Sequence, residues 1–163
     1  MPTAYWINVT VHVLAAMLWL GGMFFLGAVG APVLRAVEPA SLRAELFRRL
    51  GERFRGVGWA AIGVLVLTGV LNLHFRGLLG RMDDGAFWAS RYGHALAWKL
   101  ASVMTMIAIS AVHDFVLGPA ASRLTPGSPA ALRARTRAAW LARVNAVVGV
   151  ILVIAAVRLA RGG

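Results

Sequence analysis

Cysteine is absent from the 163 residues, which excludes disulfides, zinc–thiolate sites, iron–sulfur clusters and thiol catalysis within the chain. Acidic residues are scarce too, six against seventeen Lys and Arg, for a formal net charge of +11. In a soluble protein that excess would suggest nucleic acid. Here 60% of residues are hydrophobic and only 14% charged, and the basic residues stand between long uncharged stretches, so the partner they point to is lipid and no nucleic acid is expected. Nucleotide-binding glycine loops, zinc-hydrolase helices and serine nucleophile elbows are also missing. Any metal would have to be held by His, Met, Asn or carboxylate.

What the chain does have is four apolar runs long enough to cross a hydrocarbon core of about 30 Å at about 1.5 Å per residue. The spans read as residues 5–30, 56–76, 93–118 and 138–160, within a single transmembrane domain covering 1–163. The first run lacks the basic flank of a signal peptide and is expected to be retained. Arg143 and Arg158 bound the fourth span and must snorkel to opposite interfaces.

Arginine placement sets the orientation. Arg35, Arg43, Arg48, Arg49, Arg53 and Arg55 crowd the first connection, and Arg123, Arg133, Arg135 and Arg137 the third. The second holds Arg76, Arg81 and Arg91, opposed by Asp83 and Asp84. By the positive-inside rule the first and third connections are cytoplasmic and both termini lie outside. The expected architecture is an all-α, integral membrane four-helix bundle, N-out/C-out, in a bacterial-type inner membrane. Within the first connection, Leu42, Leu46, Phe47, Leu50 and Phe54 recur at helical spacing after Ser41, a candidate N-cap. This amphipathic segment, about 40–55, is expected to lie on the inner interface or to extend span two. The turn-rich break at 125–129 and the basic segment after it read as a cytoplasmic loop attracted to anionic lipid.

Four histidines offer chemistry. Counted from Gly30 and Gly56 as the inner span ends, His12 and His74 both lie about 27 Å outward, and His94 starts span three at the same level. His113 belongs to the inner half. Two imidazoles at one depth on neighbouring helices are what a six-coordinate haem iron needs, and copper makes a similar demand. The competing view, that span-end histidines simply hydrogen-bond across helices, loses ground when three converge, because intramembrane ionisable groups are costly. Tyr5, Asn8, His12 and Trp19 share one helical stripe, with Ala16 a small neighbour. Arg76 and Arg91 are candidates to pair with haem propionates, although interfacial capping explains either one alone; Trp6, Trp88 and Trp98 read as interfacial anchors.

Lys99 is the one lysine. Pointing inward it would serve as a ligand, a carboxylate partner or a proton relay; pointing outward it would be an anchor. His113 and Asp114 could handle protons at the inner side, but neighbouring helix positions do not face each other. An inner quinone-related polar site is the functional version of that pair. Met17, Met23, Met104 and Met106 are soft donors suited to Cu(I), yet they form no dense array.

The stretch His12-Val-Leu-Ala-Ala-Met-Leu-Trp-Leu-Gly-Gly-Met-Phe-Phe-Leu, with Trp98-Lys99-Leu100 and Ala111-Val-His-Asp-Phe-Val-Leu-Gly-Pro119, resembles the membrane domain of the copper-resistance protein D (CopD) family. It is also similar to the related HemJ-type protoporphyrinogen oxidases. The resemblance covers nearly the whole chain. The HemJ-like branch implies haem b binding and porphyrinogen oxidation, with His12 and Lys99 at the matching positions. This chain ends its third span His-Asp-Phe-Val-Leu-Gly-Pro, where that branch has a Tyr-His-containing sequence. The copper branch implies copper uptake or tolerance alongside a periplasmic copper-binding partner, usually in a longer protein with more spans.

The expectation is therefore a haem b near the outer face, His12 and His74 being the axial pair, His94 their substitute, and Lys99, Arg76 and Arg91 around them. It would exchange electrons with a quinone, a periplasmic redox or copper protein, or a small oxidisable substrate, as a haem-dependent oxidoreductase if it is an enzyme. Copper bound by His12, His74 and His94, with His113 a remote fourth candidate, is the alternative; a structural membrane protein without a cofactor is the third reading.

Overall fold

The structure, a computed structural model, describes residues 3–161 apart from residue 126. Among the described residues the chain is helical and contains no strand. Its elements are α1 (Thr3–Phe25), α2 (Ala31–Arg35), α3 (Ala40–Phe75), α4 (Gly85–Ala89), α5 (Arg91–Val112), α6 (Gly118–Ser122) and α7 (Pro129–Ala160). Four continuous helical stretches, Thr3–Arg35, Ala40–Phe75, Arg91–Ala121 and Pro129–Ala160, are long and apolar enough to cross a membrane, so the protein is an all-α membrane bundle.

The first and third stretches are built alike. Each passes through a π-helical turn, Leu26–Gly30 and His113–Leu117, in which the Ala31 and Gly118 amides reach back five residues to the Leu26 and His113 carbonyls. In both cases the next residue, Pro32 or Pro119, has no amide hydrogen to give and would crowd an α-helical carbonyl behind it; the wider turn absorbs that conflict. A shift of 87 residues, Leu26 to His113, superimposes the two patterns and carries Tyr5 onto Tyr92, His12 onto Lys99 and buried Trp19 onto buried Met106. The chain is thus two helical hairpins of one design, α1 with α3 and α5 with α7. Contacts of α1 with α7, and side-chain bonds from Trp59 of α3 to Asp114 in the turn after α5 and from Arg76 just past α3 to Tyr92 of α5, close the ring. In that ring α1 and α5 stand diagonally opposed.

In lipid, helices gain little from apolar burial alone, so close approach and interhelical polar bonds hold the bundle. Trp19, Ala61, Ile62 and Met106 form its centre. Gly149 lies under Leu20 and Met106, and a Cβ there would stand 2.7 Å from Leu20 Cδ2. Gly22 is overlain so closely by the Phe54 ring that a side chain would collide with it. Asn145 donates to Ser110 Oγ at 3.0 Å, tying α7 to α5 in the core.

α3 is one unbroken helix of 36 residues, about 54 Å long, so the amphipathic 40–55 segment extends span two as a stalk rather than lying separately on the interface. Its start differs from the expected cap: Pro39, in extended conformation, precedes the first turn, which begins at Ala40 and so takes Ser41 into the helix. At the opposite end of the bundle, residues 76–90 fold into a small plug. Phe87 packs with Leu96 and Leu159, and Trp88 donates to the Met82 carbonyl at 2.8 Å. Trp88 therefore braces this plug and is not a free interfacial anchor, whereas Trp6 and Trp98 face outward.

Candidate functional site

The pairing of α1 with α3 is read from its contacts. The Tyr5 ring meets Phe75, Asn8 donates to Asn72 Oδ1 and to the Thr68 carbonyl, both at 3.0 Å, and His12 Nδ1 lies 2.7 Å from Thr68 Oγ1. Gly30 lies across from Leu50. Because α3 continues past Gly56 without a break, Gly56 is not the level of Gly30. His74 consequently sits near the Tyr5 level, about six residues or roughly 9 Å above His12. The equal depth expected for His12 and His74 is corrected by this register. His74 is exposed beside Phe75.

His94 is exposed as well, in a shallow groove with Ala97, Trp98 and Ala101 on the outer face of α5. Lys99 belongs to the other face, the stripe that includes buried Leu96, Met106 and Ser110. It points into the bundle, close enough to His12 and to Arg76 to interact electrostatically with both. No hydrogen bond or ion pair engages its ammonium among the described residues. The structure therefore does not converge the three outer histidines; it converges His12 with Lys99 and Arg76. Among the described residues no group of three or more His, Cys, Asp or Glu is placed to hold a metal.

Thr68 fixes the state of His12. Its hydroxyl donates to the Val64 carbonyl at 2.6 Å, leaving the oxygen to accept from His12 Nδ1–H. The imidazole is then the tautomer whose Nε2 lone pair is available, the arrangement that metal-binding histidines adopt when a neighbour takes the other ring hydrogen. Above this pair, Arg76 donates to the Tyr92 hydroxyl at 2.7 Å, and the Tyr5 hydroxyl lies near the same guanidinium. Arg91 is exposed and engages no partner among the described residues. Of the four candidate methionines, Met17 and Met104 are each 65% exposed on the outside of the bundle. Met106 is buried under Gly149, and Met23 accepts from Asn145 at 3.5 Å; none is placed beside His12.

Sequence reasoning missed Thr68, Asn72 and Trp59. The signal was present: with His74 they are the residues with polar side-chain atoms in the run from 57 to 75, and Thr68 and Asn72 are four apart, on one helix face. It also left open whether His113 and Asp114 touch. In the structure His113 Nδ1 and Asp114 Oδ1 are 2.9 Å apart, because both lie in the π-helical turn, where α-helical side-chain directions no longer apply.

Comparison with known proteins places the chain. A family model described as Copper resistance protein D matches residues 48–159. An uncharacterized protein of Aquifex aeolicus (strain VF5) is 30% identical over 152 residues, 93% of this chain and 92% of that protein. No solved structure matches. With four membrane-spanning helices and a family match over more than half its length, the chain belongs to the copper resistance protein D family.

Proposed function

We propose that this protein binds haem b between its two hairpins and works in electron transfer, and that His12 and Lys99, on diagonally opposed helices, are the residues that would hold it. The observation that carries the reading is the Thr68–His12 bond, which leaves Nε2 ready for iron. The equivalence of His12 and Lys99 in the two hairpins supports it, since side chains at matching positions of diagonal helices approach a shared centre from opposite sides. The resemblance to HemJ-type proteins implies the same two residues.

Haem, when bound, supplies one-electron redox chemistry. The chain's own residues would hold and orient it: Thr68 would keep the imidazole in one tautomer, Gly69 leaves space beside His12 Cε1, and Arg76, bonded to Tyr92, would receive a propionate. The bilayer orientation that goes with this reading puts the arginine-rich stalks in the cytoplasm and the site near the outer face of an inner membrane.

The family match favours a second reading, copper binding in the manner its description suggests. At His12 copper would find one imidazole and no methionine, a poor set of donors for Cu(I). An absorption spectrum with elemental analysis tests both. The haem reading expects a Soret band that shifts on reduction, weakened by His12→Ala and altered by Lys99→Ala, but kept in His74→Ala and His113→Ala. A colourless protein with one equivalent of copper would overturn it in favour of copper; one with neither would leave a structural role.

A further inference from the structure

The arginine-rich half of the seam between the hairpins holds a second polar cluster, unused by the haem reading. Both oxygens of Asp114 are engaged: Oδ2 accepts from Trp59 Nε1 at 2.9 Å, and Oδ1 lies 2.9 Å from His113 Nδ1. Asp114 thus orients His113 with its Nε2 turned to other partners, as a carboxylate does for an imidazole that handles protons. Arg55 reaches the cluster from one turn below Trp59. Its Nε is buried without a hydrogen-bond partner, and its guanidinium lies 5.9 Å from the centre of the Phe115 ring. Phe115 leans on Trp59 at 5.3 Å yet is 57% exposed. Among the described residues no hydrogen bond or ion pair engages the guanidinium, so its donors are available to a ligand.

These features describe what would bind. The positive Arg55 is offset by the negative Asp114, so the site is close to neutral and an anionic headgroup would face the carboxylate. Access is past an exposed aromatic ring on a membrane-spanning helix, which selects a molecule that travels in hydrocarbon. The unmatched donor of Arg55 calls for an acceptor oxygen, His113 Nε2 for a hydroxyl, and Phe115 for a flat ring.

We propose that Arg55, His113 and Phe115 form a binding site for a quinone headgroup, Arg55 donating to a carbonyl oxygen and His113 Nε2 accepting from the hydroxyl of the reduced form. The site stands on residues separate from His12 and Lys99 and does not depend on haem. Trp59 and Thr68 are nine residues apart on α3, about 14 Å along the helix axis, so the two sites would be neighbours in one bundle.

The test is a titration of the full chain in phosphatidylcholine nanodiscs with decylubiquinone, followed by light-driven cross-linking of an azido derivative and mapping of the labelled peptide. Saturable binding is expected, with label in residues 53–60 or 112–119. Arg55→Leu should weaken binding of decylubiquinone at least tenfold, His113→Ala should do the same to its reduced form, decylubiquinol, titrated in the same way, and His94→Ala should weaken neither. Phe115→Leu, an exposed and conservative change, should weaken quinone binding several-fold while keeping the fold, which circular dichroism checks for each variant. Absence of saturable binding overturns the proposal, as does wild-type affinity in well-folded Phe115→Leu and, for decylubiquinol, in well-folded His113→Ala. Displacement of the quinone by added phosphatidylglycerol would overturn it in favour of an anionic lipid site. The Soret band, recorded on the same samples, reports on the haem reading separately.

Discussion

Tyr5 and Tyr92 occupy equivalent positions in the two hairpins and converge on one guanidinium, that of Arg76, which donates to Tyr92 at 2.7 Å. A residue just past a helix end is thereby held over the seam where His12 and Lys99 face each other. Hydrogen bonds to a charged group contribute about 1.5–3 kcal/mol, so Arg76→Gln should weaken haem retention roughly ten- to a hundredfold. Arg91→Gln should have no such effect. Equal losses in both variants, measured by haem transfer to apomyoglobin, would remove Arg76 from the site.

Thr68 should be needed for its oxygen rather than its shape. Thr68→Val is expected to cost about 1–3 kcal/mol by leaving the His12 Nδ1–H without its acceptor, and to change the haem spectrum. Thr68→Ser should restore both. A Thr68→Val protein with the wild-type melting point and spectrum would show that the tautomer is set elsewhere.

The close contacts of Gly149 give a stability prediction independent of any cofactor. Gly149→Val should destabilise the bundle by about 1–3 kcal/mol, since the added atoms press on Leu20 and Met106. At Gly63, where nothing lies within 4 Å of an added Cβ, Gly63→Ala should be neutral or slightly stabilising. Unfolding in mixed micelles measures the contrast; matching losses would contradict the packing described.

The α3 stalk outside the membrane should respond to acid while the span does not. Glu45 accepts from Arg48 and Arg49, and these bonds hold its carboxyl at about 2, below its ordinary value of 4.5. A carboxyl lowered in the folded state stabilises it fully above the ordinary value and loses that contribution as pH falls toward 2. Hydrogen exchange in residues 40–55, corrected for intrinsic rates, should accelerate between pH 4.5 and 2, with residues 57–75 unchanged. Uniform protection across this range would show that the ion pairs do not support the stalk.

The four spans were legible because a hydrocarbon core demands uncharged length, and runs such as 57–75 supply it. Which residues face one another was less so. His12 and His74 were counted from Gly30 and Gly56, but the helix runs straight through Gly56 and the true partner of Gly30 is near Leu50. Residue type alone left Lys99 undecided between inward and outward, and its buried neighbours Leu96 and Met106 decided it. The repeat relating His12 to Lys99 escaped notice because membrane packing asks for size and apolarity, so Trp19 and Met106 do the same task with different side chains.

The π-helical turns carry a consequence for how such chains can vary in length. Each holds one residue more than an α-helical path between its ends requires. Removing a residue at 26–30 or 113–117 would be absorbed at the bend that Pro32 or Pro119 already imposes, while the same deletion between Tyr5 and Trp19 would rotate part of the inner stripe by about 100° and turn His12 away from Thr68. Length changes among relatives are thus expected to gather at these two turns.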